Sequence, residues 1–201
     1  MIALFALLTA CAPHPAPAAA PPAEPLPYAP ASIGAADARF TVQVWSDYAC
    51  PWCARAYEPL AAYTAAHPDT RLVMRNYPLS TSCNPHVGRN LHPNACAIAL
   101  AGICASAQGR AAEASTYLYA QQGHPVEPAA LQEAAHLDAA RWRACMDDPA
   151  AAAALARDIE DGSRAGVEGT PTIYVSGVDP RGWVQGGAID VITLIDMARG
   201  G

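Results

Sequence analysis

The sequence predicts one α/β domain in which a βαβ unit and a ββα unit flank a block of helices. Three observations predict it. Strand-like runs rich in β-branched and aromatic residues stand at "FTVQVW", "RLVMRNY" and "TPTIYV". Ala-rich stretches with apolar residues at helical intervals separate the second run from the third. Two cysteines, in "SDYACPWCARAYEPL", sit where the first strand pattern changes to a helical one.

Taken in order, Phe40 to Trp45 alternates and reads as a strand. Pro51 suits the first turn of a helix, where a missing N–H costs nothing. That helix runs to about Ala66 and stops at "HPDT". Arg71 to Tyr77 is the second strand, and two strands joined by one helix make a right-handed parallel βαβ unit. A long loop, "PLSTSCNPHVGRNLHP", leads into helical stretches over about Asn94–Gln108, Ala111–Gln121, Pro128–Met146 with a break near Asp138, and Pro149–Ala165. "GTPTIYVSG" returns to a strand, "GWVQGG" is its hairpin partner, and "AIDVITLIDMAR" is a last helix ending at Gly200.

The 201 residues, 52% of them hydrophobic, suit one globular domain with a core and some tail. The net charge of -6 gives no electrostatic footprint for a nucleic-acid partner. Every one of the 12 basic residues is Arg, and with 19 Pro and many Ala this reflects composition bias rather than function.

The N-terminus, "MIALFALLTAC", is too short to span a bilayer. Its end, Leu8-Thr9-Ala10-Cys11, resembles a bacterial lipobox, which implies lipidation of Cys11 after signal cleavage. No Arg or Lys precedes the run, as a signal peptide's first region requires, which leaves room for a start upstream of Met1. The Ala/Pro-rich stretch behind Cys11 cannot pack a core and favours extended conformations. The expected organisation is a signal-type segment over 1–10, a tether over 11–36 and a domain over 37–201, with helices inserted over about 93–165.

Three uses compete for Cys50 and Cys53. A zinc site needs two more ligands, and there is no second Cys-x-x-Cys; His86 and His92 in the long loop match no zinc-module spacing. A purely structural bridge would close a tiny loop and so add little stability. Redox exchange explains the position. At a helix N-terminus, unpaired N–H groups and the positive end of the dipole favour a thiolate, and thiols so placed have pKa values lowered to roughly 3.5–7.5. Cys50 is then the nucleophile. Cys53, one turn on and facing inward, is the resolving thiol.

Thr170-Pro171 stands at the start of a distant strand, where an X-Pro bond can be cis or an ordinary strand-initial Pro. Taken together, "CPWC" after a strand, a helical block, and "GTPT" before a hairpin and final helix resemble the thioredoxin superfamily over about residues 37–200. The helical insertion is similar to the DsbA-like branch. Within it, "RNYPLSTSCNPHVGRNLHPNACAIALAGICA" resembles thioredoxin-like domains related to those fused to bacterial vitamin K epoxide reductase homologues.

The resemblance implies that Pro171 is cis against the thiol pair, and that the Thr170 backbone hydrogen-bonds an extended substrate segment beside an exposed Cys50 sulfur. It also implies that Pro51 and Trp52 help set the reduction potential. Where many relatives keep a buried acid for the resolving cysteine, this chain has Val44. Asp47 and Glu58 are candidate substitutes through water, with a solvated surface charge the plainer expectation for each.

Cys83, Cys96, Cys104 and Cys145 remain, an even number that suggests two structural disulfides with three possible connectivities. Cys83 with Cys96 would pin the long loop, leaving Cys104 to pair with Cys145 across the insertion. The alternatives are buried free thiols, or a Cys83–Cys96 pair that shuttles electrons to Cys50. His67, His124 and His136 are expected to be structural or exposed, Trp142 and Trp183 core or partly buried, and Tyr48 either groove-lining or packed.

The expected function is a lipid-anchored periplasmic or cell-envelope thiol–disulfide oxidoreductase acting on thiols and disulfides of exported proteins. It needs no metal or organic cofactor, and a membrane redox partner resets it. The DsbA-like insertion favours the oxidase direction over reductase or isomerase, and a monomer is expected. The alternative is a non-catalytic thioredoxin-fold module that merely holds a peptide.

Overall fold

The first described element is one that periodicity does not announce. In the computed structural model, which describes residues 28–200, β1 (Ala31–Ile33) pairs antiparallel with β3 (Thr70–Asn76) at the sheet edge. Tyr28 hydrogen-bonds the Asp148 carboxylate at 2.8 Å. Residues 28–36 therefore pack with the domain, and the expected tether over 11–36 is corrected at its C-terminal end. Gly34 makes this edge possible: its φ is +95°, and a Cβ there would lie 2.6 Å from the Thr70 carbonyl oxygen. The signal-type segment 1–10, Cys11 and the tether through residue 27 lie outside the described residues.

β2 (Phe40–Ser46) leads into α1 (Pro51–Ala66), and β3 returns parallel to β2 in the register Val42↔Leu72. The helical block is α2 (Ala95–Ser106), α3 (Ala111–Ala120), α4 (Pro128–Ala134), α5 (Ala139–Met146) and α6 (Pro149–Arg164). Asp138 and Asp148 start α5 and α6 by accepting the Arg141 and Ala150 amides, as short acceptor side chains do at N-caps. β4 (Thr172–Asp179) pairs antiparallel with β2, and β5 (Gly182–Gln185) with β4; α7 (Ala188–Gly200) follows. The sheet order is β1-β3-β2-β4-β5.

Alternation along β2 divides the core. Phe40, Val42 and Val44 face Leu60 of α1 and Val191 and Ile195 of α7. Trp45 faces the helical block with Tyr77, Leu155 and Ile159, and its indole donates to the Asp158 carbonyl at 3.2 Å. Gly162 lets α6 approach this closely, since a Cβ there would meet both the Trp45 and Tyr77 rings at 2.7 Å.

Two disulfides staple the insertion. Cys83–Cys96 joins the long loop to α2, and Cys104–Cys145 joins α2 to α5. With sequence separations of 13 and 41, loop-closure entropy assigns about 3 kcal/mol to the first and about 4 kcal/mol to the second. Replacing Cys104 and Cys145 together by Ala should therefore lower the denaturant midpoint more than the Cys83/Cys96 pair does. Urea titration of the two double variants checks the order, and the reverse ranking would mean that native packing outweighs chain entropy.

Candidate functional site

The strand-to-helix junction is built by hydrogen bonds within eight residues, Asp47 to Ala54. Cys50 is the N-cap of α1, in an extended conformation, with Pro51 in the first turn. Its amide donates to the Asp47 carbonyl at 3.0 Å, while its own carbonyl accepts from Cys53 and Ala54 at 3.1 and 3.2 Å. No acidic side chain occupies the first turn of α1, so the positive helix end is left to the Cys50 sulfur.

From the far end of the chain, the peptide bond between Thr170 and Pro171 is cis. The Cys50 thiol donates to the Thr170 carbonyl at 3.4 Å. Cys50, Cys53, Thr170 and Pro171 are thus brought to one place. The Thr170 hydroxyl is buried without a protein partner at hydrogen-bond geometry, and it lies beside the same sulfur. Trp52 projects outward, 64% exposed, with the Arg55 guanidinium 4.7 Å over its ring.

The two thiols are driven apart electrostatically. The Cys50 pKa is pulled down to about 6, first by the hydrogen bond from the Cys53 thiol, then by the Cys53 and Trp52 amides and Thr170, against a burial effect that raises it. Cys53 is pushed up, above all by burial and then by donating a hydrogen bond to Cys50. One sulfur is ready to be a thiolate while the other holds the proton. Among the described residues, these are the two cysteines outside disulfides.

Three expectations change. Cys50 is not openly exposed: it keeps 3% of its surface, because the loop carrying Thr170 closes over it from a segment 120 residues away. Asp47 is not a solvated charge. It is 2% exposed, and its carboxylate accepts from the Ala49 and Leu79 amides and pairs with His92 Nδ1, each at 2.8 Å. Its own amide donates to Cys53 Sγ at 3.5 Å, so one residue touches both cysteines. Trp183, expected in or near the core, is 51% exposed on β5.

Glu58 is a surface charge. Val44 lines a small apolar cavity beside Cys53 with Leu60, Leu72, Met74, Tyr57 and Tyr119. Tyr48 is packed, its hydroxyl 3.1 Å from Ser115 Oγ. His92, weighed only as a metal ligand, instead orients Asp47; "LHPNA" carried no local signal of that, since its partner lies 45 residues upstream.

Comparison with known proteins places this geometry. A family model described as thioredoxin matches residues 28–181. A thioredoxin-like oxidoreductase from Silicibacter pomeroyi DSS-3 superposes with a TM-score of 0.65 at 24% identity, over 86% of this chain and 93% of that one. Pseudomonas aeruginosa DsbA2 does so at 0.62 and 24% identity, over 87% and 96%. Oxidised BdbD from Bacillus subtilis does so at 0.63 and 18% identity, over 86% and 94%.

Among curated proteins, a Na(+)/H(+) antiporter, NhaA 1 of Salinispora arenicola, is 30% identical over 146 residues. That match takes in 72% of this chain but 21% of the antiporter, so the chain spans about a fifth of that relative's length. The fold is the thioredoxin fold with a DsbA-like helical insertion, and the chain belongs to the thioredoxin family.

Proposed function

We propose that this domain is a thiol–disulfide oxidoreductase working outside the cytoplasm on exported proteins, in the oxidase direction. The observation that carries the reading is the Cys50 sulfur, set on the N-terminus of α1 and 3.4 Å from the carbonyl of Thr170. In the oxidised protein a substrate thiolate attacks Cys50 Sγ, and the bond to Cys53 breaks. Cys53 leaves as a thiolate and takes up a proton. A second substrate thiolate then attacks the substrate sulfur of the mixed disulfide and expels the Cys50 thiolate. The substrate gains a disulfide, and its two electrons rest on the dithiol.

One feature favours that direction and a second the location. The lowered Cys50 pKa stabilises the reduced form, which is what makes a dithiol–disulfide couple oxidising. Two further disulfides within the domain fit an oxidising compartment. Attachment through a lipidated Cys11, a monomeric state and a membrane partner that reoxidises the dithiol complete the proposal. No cofactor enters these steps. No helix among the described residues is long and apolar enough to cross a membrane. Na(+)/H(+) exchange is not carried over from the antiporter match.

Iodoacetamide trapping of the reduced protein tests the reading. The alkylation rate should reach half its plateau near pH 6, rather than at about pH 8.5 for an ordinary thiol. Because the folded pKa is depressed, the reduced form's extra stability is full above the ordinary thiol pKa and is lost as pH falls through about 6. The gap between the melting points of reduced and oxidised protein should shift accordingly. An ordinary alkylation midpoint would favour the peptide-binding module. An equilibrium with glutathione nearer about -270 mV than about -120 mV would favour a reductase.

A further inference from the structure

Exchange leaves one problem that the described residues around Cys53 answer locally. In either direction Cys53 must pass through an anion: as the group expelled when a substrate thiolate attacks Cys50, or as the attacker that resolves a mixed disulfide. While Cys50 is a free thiolate, it accepts a hydrogen bond from the Cys53 thiol. Once Cys50 is bonded to a substrate sulfur, that acceptor is gone. The cavity wall beside Cys53 offers Val44, Leu60, Leu72 and Met74, which can neither take a proton nor donate one. The carboxylate of Asp47, whose amide touches Cys53, is committed to the Ala49 and Leu79 amides and to His92.

The polar groups that do face Cys53 come from three elements. Ser46 ends β2, next to Asp47, and its hydroxyl partner Tyr119 lines the same small cavity as Cys53; a Ser46 hydroxyl turned to the sulfur lowers the Cys53 thiol pKa. Asp47 donates its amide at 3.5 Å. Tyr119 reaches in from α3, and its hydroxyl is 2.6 Å from Ser46 Oγ. Tyr48 and Tyr57 pack on the Tyr119 ring with centroids at 4.7 and 4.9 Å, but their hydroxyls bond to Ser115 and to Ala112 and Thr116.

Ser46 and Tyr119 are both buried, at 6% and 5% exposure. Burial pushes the Tyr119 phenol well above its usual range, so it stays protonated. Either hydroxyl of the Ser46–Tyr119 pair can donate to the other; with Tyr119 as the donor, the Ser46 proton is free for the sulfur.

We propose that the Ser46–Tyr119 hydroxyl pair is a donor chain for the Cys53 thiolate, with Ser46 the catalytic residue that touches the sulfur and Tyr119 the positioning residue behind it. The inference rests on the exchange reading above and deepens it. In resolution, the Cys53 sulfur bonds to Cys50, the Cys50–substrate bond breaks, and the Cys53 proton ends on the departing substrate thiolate through solvent. The dithiol is oxidised and the substrate disulfide is reduced. In the oxidase direction the same bonds change in reverse, and the donor chain makes Cys53 a better leaving group. Two aligned donors in a dry site act most strongly where charge develops.

The test separates the two thiols. Reduced protein is reacted with oxidised glutathione, and acid-quenched mass spectrometry follows formation and resolution of the mixed disulfide across pH. Tyr119→Phe should slow resolution by about tenfold and Ser46→Ala by more. Both should move the pH midpoint of resolution upward. Ser46→Thr, which keeps a hydroxyl, should restore most of the rate. Alkylation of Cys50 should keep its wild-type midpoint in all three variants.

Wild-type resolution rates in Tyr119→Phe and Ser46→Ala would overturn the inference. So would a Cys50 midpoint that moves together with resolution, since that would mean a distorted site rather than a lost donor. If wild-type Cys50 itself titrates as an ordinary thiol, the exchange reading fails first, and that result is distinguishable from the other two.

Discussion

Replacing Cys53 by Ala is expected to turn an exchanger into a trap. Cys50 would still attack disulfides, but each mixed disulfide would wait for an external thiol. An intramolecular thiol held one helical turn away has an effective concentration orders of magnitude above millimolar glutathione, so turnover should fall by about a thousandfold or more. The same variant should raise the Cys50 pKa, because the Cys53 hydrogen bond is the largest influence holding it near 6. The alkylation profile would then move toward the ordinary thiol range.

Cys50→Ser, by contrast, should remove rapid alkylation altogether, since buried Cys53 keeps its proton. Gel-shift trapping of covalent complexes with a disulfide-containing protein reads the first effect, and alkylation against pH reads the second. Undiminished turnover in Cys53→Ala would mean that external thiols resolve the intermediate. An unmoved midpoint would mean that the helix end alone depresses the Cys50 pKa.

What the sequence made legible was whatever is encoded within about one turn or one strand. The change of period at Ser46–Leu60 locates the β2–α1 junction, Pro51 locates the first turn, and Asp138 marks the break that separates α4 from α5. The cysteine pairing favoured by the predicted elements is the pairing present.

What stayed hidden is supplied by distant chain. β1 is three residues long, between Pro30 and Gly34, and exists because the β3 backbone offers it partners. Asp47 looks like any surface acid until Leu79 and His92 arrive from 32 and 45 residues away. Asp158 is similar: a helical acid by pattern, it is buried against Arg75 and Asn76 across the fold. Ser46 and Tyr119 are 73 residues apart, and nothing local marks either as a neighbour of sulfur. Hydrophobic periodicity reports which face is buried, whereas polar satisfaction is settled only once the tertiary partners are in place.

Asp47→Ala should be the most destabilising single change near the site that leaves both active-site thiols in place. The substitution removes a carboxylate 1% exposed in its side chain and orphans the Ala49 and Leu79 amides. It also strips His92 of its partner. Each buried donor left unpaired costs about 1–3 kcal/mol, and breaking a buried charged cluster from one side costs about 3–5 kcal/mol in all. For a domain of this size that corresponds to a fall in melting temperature of roughly 10–15 °C.

Asp47→Asn keeps the shape and can still accept one amide, but its NH₂ then faces a second donor, so it should fall between the parent and Asp47→Ala. His92→Ala removes only the less buried partner and should cost about 1 kcal/mol. Thermal melts of the oxidised proteins rank the three. If Asp47→Ala melts within about 2 °C of the parent, the carboxylate does not hold the turn. The reactivity of Cys50 should change in the same variant, since the carboxylate anchors the turn whose residue-47 carbonyl and amide hold both cysteines. One buried acid thus ties the stability of the β2–α1 turn to the chemistry on it.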